Sequence, residues 1–243
     1  MSHLNSPRLT QESSLKKKPV LCYVTDRRGL APAAARDSNT ALLDRIQVLA
    51  QAGVDWIQLR ERDLPGRTLG ALTRSALRCL PAPPNAAVPC TTRLLVNDRF
   101  DVALAERAGG VHLGENSLPV SEVKRLLASR PSPPASAAAF LIGVSCHSLP
   151  GAQSAGHAGA DYIFFGPVFA TPSKAAFGAP QGLTRLAQVC ASLKIPVLAI
   201  GGITLETAAA CWDAGASGIA AIRLFQDATD PAAVVAALRQ TMS

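Results

Sequence analysis

The sequence predicts an α/β fold, a single-domain (β/α)8 TIM barrel. Short, near-continuously apolar runs alternate strictly with helical stretches, eight of each. The length, 243 residues, suits one such domain. An internal echo, Ala-Gly followed by a strand, recurs in AGVDWIQL, AGGVHLG, AGADYIFFG and AGASGIAAI, roughly two βα units apart.

In chain order, residues 1–19 are polar and basic without periodicity, and are expected to form a disordered leader ahead of a barrel over 20–243. The first strand, 21–25, is followed by a helical stretch over 40–52 that stops at the first Ala-Gly. Strand 56–60 and helix 68–80 come next. Proline density in PAPPNAAVP then marks a surface loop over 80–92. Strand 94–97, helix 98–107, strand 110–113 and helix 120–129 follow, and RPSPPASAA marks a second loop over 130–138. Strand 141–145, helix 149–158, strand 162–166, helix 183–192, strand 197–200, helix 205–214, strand 218–222 and helix 231–242 complete the series. The strands are apolar throughout rather than alternating, as expected of parallel strands covered on both faces. An open doubly wound sheet is the structural alternative. It would carry a GxGxxG turn after its first strand, which VTDRRGL does not supply.

Composition narrows the function classes. With 48% apolar and 17% charged residues the chain can build a large core, and no apolar run approaches a membrane span. The net charge of +7 is scattered, and aromatics are only 5%, which argues against a nucleic-acid surface and suits a pocket for small anions. No secretory signal pattern opens the chain, and the six cysteines form no CxxC pair, so reduced thiols and a cytoplasmic setting are expected. Cys146 is singled out because it adjoins candidate site residues.

In such a barrel the chemistry gathers at the C-terminal ends of the strands. Read there, the sequence offers Gln58, Arg60 and Arg62 after the second strand, Asn97 and Asp98 after the third, and Glu115 after the fourth. It continues with Ser145 and His147 at the fifth, Thr171, Ser173 and Lys174 beyond the sixth, Gly201 and Gly202 after the seventh, and Ile222 and Arg223 after the eighth. The loops after strands seven and eight form a usual phosphate site, although a Gly-Gly pair is also a plain tight turn. Thr171, Ser173 and Lys174 suit a second anionic group, with Arg60 and Arg62 on the same rim. Asp98 and Glu115 are candidate Mg²⁺ ligands; Asp98 is equally a candidate N-cap for the helix that follows. His112 reads as a packed histidine, whereas His147 is better placed to act as acid or base.

These blocks, QLRER, LLVNDRFDVAL, GVHLGENSLP, IGVSCHS, GADYIFFGPVFATPSK and IPVLAIGGIT, resemble the thiamine phosphate synthase superfamily, which also holds the TenI-type thiazole tautomerases. The resemblance covers about residues 20–226. It implies a synthase that joins hydroxymethylpyrimidine diphosphate to thiazole phosphate, releasing pyrophosphate with the help of Mg²⁺. On that reading Gln58, Arg60, Asn97, Asp98 and Lys174 handle the diphosphate and its metal, and Ser145 lies near the pyrimidine. Thr171 and Ser173 take the thiazole phosphate side, with Gly202 and Ile222 binding phosphate through the backbone. Barrels of this type often pair, so a homodimer is carried as an expectation.

Three positions depart from the synthase pattern: Arg62 replaces a lysine, Ser117 an aspartate, and Arg223 a serine. The alternative is a TenI-type tautomerase, which moves a proton within a carboxythiazole phosphate, needs no metal, and would use His147. A third reading is a non-catalytic barrel that binds phosphorylated ligands.

Overall fold

The computed structural model describes residues 18–30, 37–81, 92–114, 116–129, 140–171 and 179–241. Eight strands, β1 (Val20–Val24), β2 (Trp56–Leu59), β3 (Arg93–Asn97), β4 (Gly110–Leu113), β5 (Leu141–Cys146), β6 (Tyr162–Phe165), β7 (Val197–Ile200) and β8 (Gly218–Ala221), pair in parallel in sequence order. β8 pairs back onto β1, Gly218 against Val20 and Ala221 against Tyr23, so the sheet closes and the doubly wound alternative falls. The helices are α1 (Ser38–Ala52), α2 (Gly66–Cys79), α3 (Phe100–Ala105), α4 (Val120–Ala128), α5 (Leu149–His157), α6 (Gly182–Ser192), α7 (Leu205–Asp213), α8 (Arg223–Gln226) and α9 (Pro231–Gln240). The short α8 and a 3-10 turn at Arg27–Gly29 were not anticipated; both are too short for a periodic pattern to betray. The expected leader, except Lys18 and Pro19, and most of both proline-rich loops lie outside the described residues.

Strand alternation divides the core into two layers. Ile57 and Leu59, like Leu94, Val96, Ile163 and Phe165, face outward and bury against the helices. Cys22, Val24, Leu95, Tyr162, Phe164 and Leu198 fill the barrel interior. Each fully buried side chain of this size contributes about 1.5–3 kcal/mol. The Cys146 side chain belongs to the outer layer, packed among helix-facing side chains rather than in the barrel interior. Burial pushes the Cys190 thiol up to about 11 and the Cys211 thiol up to about 12, which keeps both protonated and inert.

The Ala-Gly echo has a structural cause, with one change of register. Before β2, β6 and β8 a left-handed glycine ends the helix: Gly53 at φ 93°, Gly159 at φ 87° and Gly215 at φ 89°. Two residues on, Asp55, Asp161 and Ser217 donate their N–H groups to Leu21, Ile142 and Val197 of a neighbouring strand. Asp55 and Asp161 also accept, through Oδ2, the N–H of those same Leu21 and Ile142 residues. Before β4 the equivalent left-handed residue is Arg107, at φ 56°, and Gly109 takes the place of the aspartate. The glycines of AGGVHLG therefore sit two positions later than the echo suggested.

The end of the barrel opposite the candidate site is tied by Arg239 of α9. Its guanidinium bonds the carbonyls of Pro19 and Gly53 and reaches Asp55 Oδ2 at 2.5 Å. This joins the last helix to the entries of the first two strands.

Candidate active site

Each strand delivers its inward residues to the mouth by the same alternation. On β2 the inward series runs through Trp56 and Gln58 toward Arg60. Gln58 is buried, and its Nε2 donates to Asn97 Oδ1 at 2.9 Å, linking the ends of β2 and β3. Arg60 is half-buried, and its guanidinium makes no hydrogen bond to another described residue. Desolvation, and then the neighbouring Arg62 charge, lower its pKa, so the guanidinium is an under-compensated cation at the mouth.

Arg60 is held from behind. Its N–H donates to Thr25 Oγ1, whose hydroxyl donates to Glu61 Oε1 at 2.6 Å. Glu61 points outward and is almost fully buried. It also accepts from the Arg27 backbone and, at 3.0 Å, from its guanidinium. Arg27 in turn forks onto Asp63, and that bond, above all, raises the guanidinium's pKa. The network was not anticipated from the sequence, because it joins the ends of β1 and β2 across separations of 34 to 36 residues.

Asp98 stands at φ 64°, a left-handed conformation that a side chain other than that of Gly, Asn or Asp rarely adopts. The helix that follows starts at Phe100, not at residue 98. Its N-cap is Arg99, with no side-chain capping bond. The capping explanation for Asp98 therefore lapses: the cap position falls on Arg99, and the Asp98 carboxylate accepts no N–H of the first turn among the described residues. The Asp98 carboxylate is exposed and makes no hydrogen bond among the described residues, while its neighbour Arg99 is engaged by Asp101 at 2.5–2.8 Å.

Across the ring, Gly201 and Gly202 take φ 96° and φ 67°. A Cβ on Gly202 would lie 2.7 Å from the Ala170 carbonyl oxygen and from Phe169 Cβ. The loop after β6 packs this closely because Val168 and Phe169 donate to the carbonyls of Ile200 and Gly201. Ile222, half-buried, caps α8, and Arg223 is exposed. The glycine pair thus has a packing reason to be glycine, beside any ligand. Thr171 is half-buried at the edge of that loop; Ser173, Lys174 and Glu115 lie outside the described residues.

Ser117 closes a tight turn, its Oγ accepting from Gly114 N–H at 2.6 Å. Among the described residues no three His, Cys, Asp or Glu side chains group to cage a metal. Mg²⁺ does not need such a cage; one or two carboxylates plus phosphate oxygens suffice. The uncommitted Asp98 carboxylate fits that pattern.

His112 is fully buried. Nδ1 lies 3.0 Å from the Tyr162 hydroxyl and Nε2 lies 2.9 Å from Ser145 Oγ, so the packed reading holds, with a polar partner at each nitrogen. His147 is half-buried, and its Nδ1 donates to the Gly166 carbonyl.

This is a mouth with a bound-ready cation, a loose carboxylate and a glycine-lined wall four strands away. The family model described as thiamine monophosphate synthase matches residues 30–225. The chain belongs to the thiamine monophosphate synthase family. A thiamine-phosphate synthase of Roseiflexus castenholzii is 39% identical over 219 residues, covering 90% of this chain and 86% of that one. One from Methanoculleus marisnigri is 39% identical over 200 residues, 82% of this chain and 87% of its own. Among solved structures, a thiamine phosphate pyrophosphorylase from Pyrococcus furiosus matches with a TM-score of 0.73 at 30% identity, over 93% of this chain and 96% of that one. Family membership therefore rests on sequence and fold together. Among the described residues no helix is long and apolar enough to cross a membrane.

Proposed function

We propose that this chain is a thiamine phosphate synthase. It displaces pyrophosphate from hydroxymethylpyrimidine diphosphate with the ring nitrogen of thiazole phosphate. The observation that carries this is the half-buried, unbonded Arg60 guanidinium beside the Gln58–Asn97 pair and the uncommitted Asp98 carboxylate. A leaving diphosphate develops negative charge as the carbon–oxygen bond breaks, and a preorganised cation there favours the transition state. Arg60 would take that charge, and Gln58 and Asn97 would orient the diphosphate. The glycine pair, with the backbone at Ile222, would hold the thiazole phosphate, and Arg62 and Arg223 would add charge at the rim. Asp98 would hold Mg²⁺ together with the diphosphate oxygens, and the ion would supply charge neutralisation on the leaving group. Ser173 and Lys174 keep the roles the family resemblance gives them, and Glu115 stays a candidate Mg²⁺ ligand beside Asp98, as part of the proposal. The same proposal makes the protein cytoplasmic, with small phosphorylated substrates as its partners.

A second reading, a thiazole tautomerase, is favoured by two observations. His147 donates from Nδ1 to the Gly166 carbonyl, which leaves its Nε2 lone pair available as a base. Ser117, bound into its turn where the synthase pattern has an aspartate, points the same way. The two separate in one assay. Purified protein given both synthase substrates and Mg²⁺ is expected to form thiamine phosphate and pyrophosphate in equal amounts. No product, together with conversion of the carboxythiazole phosphate tautomer, would transfer the assignment to the second reading.

A further inference from the structure

Inside the barrel, beside the buried Gln58, three polar side chains stand in line among apolar ones: Tyr162, His112 and Ser145. Tyr162 and His112 are fully buried, whereas Ser145 is half-buried and borders the opening. The imidazole is fixed by its rings as well as its bonds, with the Phe164 centroid 4.1 Å and the Tyr162 centroid 5.6 Å away. Tyr162 fits only because residue 143 is glycine; a Cβ there would lie 2.0 Å from the tyrosine Cζ. Fully buried between two hydroxyls and two aromatic rings, the imidazole is held neutral, with one N–H and one lone pair.

Which nitrogen holds the proton follows from satisfaction of buried groups. The Tyr162 hydroxyl has no hydrogen-bond partner among the described residues other than His112. A buried donor left without an acceptor is costly, while an idle oxygen lone pair is tolerated. Tyr162 therefore donates to Nδ1, the imidazole proton sits on Nε2, and Nε2–H donates to Ser145 Oγ. A lone pair of the serine is then taken from below, and its own hydrogen is turned toward the ligand.

We propose that Tyr162 and His112 are positioning residues that lock Ser145 as a hydrogen-bond donor, so that the mouth selects a ligand ring with an acceptor atom, such as an unprotonated heteroaromatic nitrogen, over one presenting a donor. No bond is made or broken by the relay. Identifying that ring with the pyrimidine substrate rests on the function proposed above; the polarity of the relay does not.

Two measurements test it. In ¹⁵N-histidine-labelled protein the His112 signals, identified by their loss in His112→Gln, are expected to show a protonated Nε2 and an unprotonated, hydrogen-bonded Nδ1, unchanged between pH 5.5 and 8. Tyr162→Phe is expected to shift the Nδ1 signal toward that of a nitrogen without a donor. A proton on Nδ1, or an imidazolium in this range, overturns the relay. By calorimetry, the double variant Tyr162→Phe/His112→Phe, which leaves neither polar group stranded, is expected to bind hydroxymethylpyrimidine diphosphate about tenfold more weakly. Its affinity for thiazole phosphate should stay unchanged. Equal losses for both ligands, or none, overturn the selectivity. Wild-type protein that fails to bind the pyrimidine at all counts against the function proposed above, and the relay is then decided by the nitrogen signals.

Discussion

At Asp98 a strained backbone and an idle carboxylate coincide. Holding a residue in the left-handed region costs on the order of 1 kcal/mol, and no bond to this side chain offsets it among the described residues. Asparagine tolerates the same backbone but lacks the charge. Asp98→Asn is therefore expected to keep its melting temperature within a few degrees while losing Mg²⁺-dependent synthase turnover by roughly a hundredfold or more. Full turnover in that variant would remove Asp98 from the metal site. Arg60 tests the neighbouring anion site. Truncating it to alanine should weaken pyrimidine diphosphate binding by about ten- to a hundredfold, measured by calorimetry, with thiazole phosphate binding little changed. The sequence placed both residues at the mouth by strand-end position. It could not say whether Asp98 capped its helix, because that depends on a single φ angle, nor could it find the Tyr162–His112 contact, which joins residues 50 apart.

The helix–strand junctions are where local sequence was most legible, and Arg107 marks the limit. Three of four equivalent caps use glycine, since a left-handed residue without Cβ costs least. The Ala-Gly text before β4 looks like a fourth, yet the cap falls on Arg107, because Gly109 is drawn into the ladder by its bond to Leu94. Arg107→Gly is expected to stabilise the protein by about 0.5–1 kcal/mol in urea unfolding, the reverse of the usual effect of adding a glycine. Loss of stability would show that the arginine side chain contributes more than its backbone costs. The start of α3 moved for a related reason. Helical periodicity over 98–107 cannot reveal the turn that Asp98 imposes, so the helix begins at Phe100.

For the whole barrel, closure and interior packing set stability, and both carry a readable signature. Arg239 joins α9 to the first strands through Pro19, Gly53 and Asp55, and Asp55 also holds the Leu21 N–H. Arg239→Ala strips these partly buried acceptors, so a loss of about 1–3 kcal/mol in chemical unfolding is expected without change in substrate affinity. Acid should loosen the barrel through His112. Its folded pKa, about 3, lies below the unfolded value of 6.5, so between these values the unfolded chain binds the extra proton. Stability should therefore fall as pH drops below about 6.5, by up to about 1.4 kcal/mol per pH unit, and the Tyr162→Phe/His112→Phe variant should flatten that slope. The alternation of eight apolar runs made the closed barrel legible from the text, because a buried parallel sheet demands that pattern at every strand. The reaction was less legible, because three mouth positions, Arg62, Ser117 and Arg223, depart from the synthase pattern while the barrel pattern around them is complete. Pyrophosphate release from hydroxymethylpyrimidine diphosphate and thiazole phosphate, followed with and without Mg²⁺, decides whether this barrel is a synthase. Stoichiometric pyrophosphate and thiamine phosphate are expected only when Mg²⁺ and both substrates are present; no release under those conditions from folded protein would contradict the assignment.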